Sequence, residues 1–263
     1  MEILSNEKYT SKIIKAGALI DDTKTMLANW DISQPVKANL FRLHSENIFG
    51  KATRSRIEDI LVIFRQRYLN DPNLIRGLLL LIDHPRFLET VDRILFFFAA
   101  QNDRLLYDAA TIFLVDKQER GIEEISTEMV MEWIQNLVAE GKTTTTWSEH
   151  TIHHCSRNIL STLRDFGILQ GANLKRIAPF HLPLEAFAFI AFYKYQKMPS
   201  GERLIHDNEW KLFFLSEKTI ERYLMEAHQN HLLEYYVAGS VIRLTFPVDN
   251  LEEYARVISQ RTY

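Results

Sequence analysis

The side chains best suited to chemistry cluster between residues 150 and 164. At 100° per residue, a helix predicted over 149–166 puts His150, His153, His154, Arg157, Ser161 and Arg164 on one face. Ile152, Cys155, Ile159, Leu163 and Phe166 fall on the opposite, core-facing side. Guanidinium groups only donate hydrogen bonds, whereas imidazoles and the serine hydroxyl both donate and accept. Such a set suits phosphate oxygens and base edges. Lys175 and Arg176 follow in a predicted hairpin, where a wing would reach a neighbouring phosphate. Glu149 works against this by placing negative charge near the contact end. A merely solvated polar face is the alternative.

A second basic cluster holds Arg42, Lys51, Arg54, Arg56, Arg65 and Arg67 against Glu46, Glu58 and Asp59. Lys51, Arg54 and Arg56 stand at a helix start, where free backbone N–H groups and the dipole favour anions. Exposed i,i+4 pairs such as Arg54–Glu58 would account for the same residues without any ligand. No cofactor or metal is expected. His150, His153 and His154 share a face, but no carboxylate or second cysteine completes a four-ligand zinc site. Cys155 points to the buried side, which argues against a nucleophile. There is no Gly-rich phosphate loop, nucleophile elbow or His-Glu-x-x-His, so no catalytic residue is assigned and an enzyme is not expected.

The elements that must position these groups are helical. Apolar residues recur at helical spacing from Ser11 to Trp30. Pro35 opens a short helix broken by Gly50, Thr53 caps one running to about Leu69, and Asp71-Pro72 starts the next. Two nearly apolar helices follow over 87–100 and 104–115, and 117–125 reads as a loop that separates the halves. Ser126 caps a helix to about Ala139, and Ser148 caps the histidine-bearing helix. Short strands are predicted at 168–169 and 174–177 around Gly171. In the tail, Ser216 caps a helix to about Asn230. Strands at 232–237 and 241–246 join across Ala238-Gly239-Ser240, and Asp249 caps a last helix.

An internal echo links the two halves of this pattern. Trp147-Ser148-Glu149-His150-Thr151-Ile152 resembles Leu215-Ser216-Glu217-Lys218-Thr219-Ile220, and each leads into a helix and then a hairpin. That fits a winged-helix plan used twice. Ser-Glu-x-Thr is also simply a good helix start, which explains the match without duplication.

Over 263 residues, 46% apolar and 25% charged residues describe a globular chain with a real core. Only 9 Gly and 7 Pro argue against disorder. The net charge of −3 and a pI near 6.3 mean that an anionic polymer would have to be held by a local patch. A single cysteine fits a reducing compartment. The start, MEILSNEKYTSK, lacks signal-peptide features, and the greasiest stretches, 77–82 and 94–100, are too short to span a bilayer. The expectation is a cytoplasmic, mainly α protein, a compact helical bundle with winged-helix elements and two short β-hairpins. Its expected domains are a helical one with a basic helix-turn-helix-like segment (1–120) and two winged-helix-like modules (121–183 and 184–263).

Four stretches stand in a recognisable order: Gly17-Ala18-Leu19-Ile20 leading to Trp30, Glu46-Asn47-Ile48-Phe49-Gly50-Lys51 before Ser55-Arg56, Asn102-Asp103-Arg104-Leu105-Leu106-Tyr107-Asp108, and Trp147-Ser148-Glu149-His150-Thr151 through Asp165-Phe166-Gly167-Ile168-Leu169. By their order and spacing the chain resembles the BrxA family of BREX bacteriophage-defence systems. The resemblance covers most of the first 170 residues. It implies a non-enzymatic helical protein with a NusB-like core, associated with double-stranded DNA and working beside other BREX proteins. The family supplies no catalytic residues to carry over. The DNA-binding candidates, Lys51, Arg54, Arg56, His153, His154, Arg157, Arg164, Lys175 and Arg176, come from the surface argument. Two rivals stand beside phosphate-dominated duplex binding. One is a protein-interaction scaffold using Tyr235, Tyr236 and the aromatic segment 187–195 as anchors. The other is a transcription regulator.

Overall fold

A computed structural model describes residues 8–239 and 241–260. Residues 1–7, Ser240, which the sequence pattern puts in the join between two strands, and residues 261–263 therefore lie outside the described residues. The chain is predominantly helical with two small antiparallel sheets. Its contacts divide it into two units, neither of them one continuous stretch. The first takes the chain up to Leu19, Phe98–His181 and Lys211–Phe214. The second takes Ile20–Phe97, Leu182–Trp210 and the chain from Leu215 onward.

The first unit holds α1 (Ile13–Ala16), α7 (Arg104–Asp108), a π turn at Ala109–Phe113 and α8 (Leu114–Glu119). Then come β1 (Glu124–Ile125), α9 (Thr127–Ala139), α10 (Glu149–Asp165), β2 (Leu169–Gln170) and β3 (Lys175–Ile177). The strands form one antiparallel sheet in the order β1-β3-β2. β1 lies where a loop was expected over 117–125. It is two residues long, and its partner β3 is some fifty residues away, so local pattern cannot reveal it. α10 buries Ile152, Cys155, Ile159 and Leu163, and its C-cap residue Phe166 with them, as the periodicity requires, and packs on α9 and α1. Tyr9 fixes the start of the unit. Its hydroxyl meets the Asp108 carboxylate at 2.5 Å, and its backbone bridges in parallel to Thr143.

The second unit holds α2 (Ile20–Ala28), α3 (Val36–Ser45), α4 (Arg54–Tyr68) and α5 (Pro72–Ile82). It also holds α11 (Leu184–Lys197), α12 (Gly201–Ile205), α13 (Glu217–Gln229), the hairpin β4 (Glu234–Ala238) and β5 (Val241–Thr245), and α14 (Leu251–Ser259). Between the two units, the division falls inside α6 (Leu88–Gln101). The helical run expected from Ser11 to Trp30 is two helices, because Gly17 at φ +54° and Leu19 at φ +53° turn the backbone out of the helical region. The last helix is capped by Asn250, whose side chain accepts from the Glu253 N–H at 2.9 Å, not by Asp249. The helix opened by Pro35 ends at Ser45, before Gly50.

The core of the second unit is aromatic. Phe187 stacks between Trp210 and Tyr223, with both ring centroids at 4.8 Å. Phe192 lies 4.5 Å from the ring of Tyr254, whose hydroxyl donates to the Leu232 carbonyl at 2.9 Å. Gly77 lets α5 approach its neighbours. A Cβ there would lie 3.1 Å from the Leu251 carbonyl oxygen and 3.2 Å from the Phe189 ring. Gly77→Ala is therefore expected to destabilise by about 1–3 kcal/mol through overpacking, despite the better helix propensity of alanine. The shift of the urea midpoint at unchanged slope measures it, and a stabilised variant would refute the close approach.

Candidate nucleic-acid interface

The Ser148 hydroxyl accepts the Thr151 N–H at 3.3 Å and lies 3.0 Å from the Thr151 hydroxyl, which sets the start of α10. Ser216 and Thr219 repeat this geometry at the start of α13, with 3.3 Å and 2.9 Å. The echo is thus one of local structure, although capping chemistry alone accounts for it.

On the outward side of α10, the rings of His150 and His154 lie 4.2 Å apart, and His153 meets His154 edge-on at 5.9 Å. Arg157 continues this side one turn on and is exposed, with no ion pair among the described residues. Loss of hydration, then the neighbouring His150, His153 and Arg157, hold the His154 imidazolium below its ordinary pKa of 6.5. A depressed imidazole is neutral in the folded state where the unfolded chain already takes up a proton. Folding stability thus falls as pH drops below 6.5 toward the folded pKa, and is unaffected above it. His154→Gln should flatten that acid limb of the stability–pH curve, read by urea unfolding at pH 5 and 7. An unchanged limb would remove His154 as its source.

Arg164 forms an ion pair with Asp165 at 2.7 Å. Lys175, expected to reach a phosphate from the hairpin, is only 8% exposed, and its ammonium donates to the Ala172 carbonyl at 2.6 Å. Alternation along the short strand turns Lys175 inward and leaves Arg176 outside. Arg176 pairs across the sheet with Glu124 at 2.5 Å, and that carboxylate raises its pKa. Burial raises the Cys155 thiol to about 12, so it is a poor nucleophile at neutral pH.

In the second unit, Thr53 caps α4 by accepting the Arg56 N–H at 3.3 Å, which places Arg54 in the first turn, exposed. Arg56 is half-buried. Lys51 sits before the cap, in an ion pair with Asp22 at 2.8 Å. Arg67, counted in this basic cluster from sequence, is buried at 4% exposure and is lost to any surface. Glu58 lies 3.8 Å from His44, so its near neighbour is on α3 rather than Arg54.

Three side chains of the first unit, His153, His154 and Arg157, thus share one face of α10, while Lys51, Arg54 and Arg56 gather near the start of α4 in the second. Sequence reasoning missed Lys37 and Phe41 on α3, which follow from exposure alone. Of the aromatic segment 187–195, residues 187–193 are core, which removes them as contact anchors, and Tyr195 is half-buried; Tyr235 is also buried, and Tyr236 is exposed. Among the described residues, no group of three or more His, Cys, Asp or Glu is placed to hold a metal ion, and no helix is long and apolar enough to cross a membrane.

These features define a predominantly helical protein with two small antiparallel sheets and locally cationic helix faces. Within that class the chain belongs to the BrxA family, whose family model matches residues 7–194. No curated protein and no solved structure is a significant match to it.

Proposed function

We propose that this protein is a non-enzymatic, double-stranded DNA-binding component of a BREX-type bacteriophage-defence system, and that it holds DNA mainly through phosphates. The observation that carries this is the outward face of α10, where three imidazoles gather with the exposed Arg157, while the carboxylates near it, Glu149 and Glu128, lie toward the His153 end. The surrounding order supports it. A helix, β1, α9, α10 and the β2–β3 hairpin, with strands in the order β1-β3-β2, follow the winged-helix plan, in which the second helix of the pair is the reading helix. Membership of the BrxA family supports the defence role.

The protein readings keep one observation in their favour. Tyr236, Val237 and Val241 leave the second hairpin apolar and exposed, as a docking surface would be. Fluorescence anisotropy of a labelled duplex over a salt series separates the two. Phosphate-dominated binding gives a log–log slope of about −4 to −6. No binding at low salt would leave a scaffold acting only within its complex.

A further inference from the structure

We propose that the outward face of α3 and α4 is a binding site for single-stranded DNA, with Phe41 as the platform on which an unpaired base stacks. Phe41 is 75% exposed, the largest exposure among the big apolar side chains described. Lys37 precedes it by one helical turn and His44 follows by three residues, so all three share one side of α3. On α4, Arg54, Glu58, Val62 and Arg65 share one exposed side by the same spacing. The His44–Glu58 contact at 3.8 Å joins the two sides into a single surface.

That surface has the composition a single strand needs. Lys37, Arg54 and Arg65 are exposed, and no ion pair among the described residues engages them. They can follow a phosphate backbone, while a bare ring offers a π-face to any base. A duplex gives such a ring little to do, because its bases are already stacked. A protein partner would call for a contiguous apolar core with few charges. Here Lys37, Arg54 and Arg65 share the surface with Phe41, the smaller apolar Val62 and the single carboxylate Glu58, a mixture more cationic than apolar. The inference rests on the reading of the chain as DNA-binding, and adds which strand state this second basic cluster takes.

The test uses the full chain and a labelled 15-nucleotide oligothymidine, with a duplex of equal length beside it. Phe41→Ala should weaken oligothymidine binding about 10-fold and leave duplex binding within about 2-fold, since one base–aromatic stack is removed. Phe41→Trp should restore binding and add fluorescence that oligothymidine quenches. Equal oligothymidine affinity for the wild type and Phe41→Ala would overturn the proposal while leaving duplex binding in place. Failure of both DNAs to bind would overturn the DNA reading itself. Loss of self-association in Phe41→Ala, without any change in DNA affinity, would reassign the face to a protein contact.

Discussion

On the proposed DNA-binding function, replacing Arg157 with glutamate is expected to lower duplex affinity by about 10- to 100-fold and to leave the melting temperature essentially unchanged. The side chain is exposed on the outward face of α10 and has no ion pair among the described residues, so little folding energy depends on it. Surface changes of this kind usually stay within about 0.5 kcal/mol. A charged hydrogen bond to phosphate contributes about 1.5–3 kcal/mol, and each 1.4 kcal/mol is tenfold in affinity. The salt slope should also lose about one unit, the signature of one phosphate contact removed. Arg176→Glu provides the contrast. Its partner Glu124 would then face a like charge across the sheet, so stability falls along with any change in binding. If Arg157→Glu binds duplex as the wild type does, α10 is not the contact helix.

Phe187→Ala lowers unfolding free energy by about 3–5 kcal/mol, the largest stability effect expected of any single substitution discussed for this chain. The ring is fully buried between Trp210 and Tyr223, and truncation leaves both stacked partners facing a cavity. The neighbours are held by their own hydrogen bonds, Trp210 Nε1 to the Leu204 carbonyl at 2.7 Å and Tyr223 hydroxyl to the Leu182 carbonyl at 2.8 Å. They can collapse into the space only at the cost of those bonds, which keeps the loss near the upper end. Denaturant unfolding measures the change. A loss under about 1 kcal/mol, with a partner interaction abolished instead, would return the 187–195 segment to the role of a contact surface.

Much of this was legible because helix caps and helix faces are local. Thr53, Asp71, Ser126, Ser148 and Ser216 each accept the N–H that their position implies. The two faces of α10 separate as a 100° rotation per residue requires. What local pattern cannot show is which distant segment completes an element. β1 exists only because Glu124 and Ile125 meet Arg176 and Lys175. That pairing also decides the fate of two candidate phosphate contacts, turning Lys175 inward and engaging Arg176 with Glu124. Lys51 lies just before a helix start, as its local sequence implies, but its ion pair with Asp22 depends on α2, far from that start in sequence. The two units draw on separated stretches for the same reason: periodicity reports that a face is buried, not what buries it.

The reading of α10 as the contact helix is tested most directly by photocrosslinking a duplex substituted with 5-iodouracil to the full chain and mapping the joined peptides. Imidazole and aromatic side chains next to the base edges react, so the account predicts crosslinks within α10 at His150, His153 or His154. Crosslinks confined to α13 and the β4–β5 hairpin, with none on α10, would contradict it.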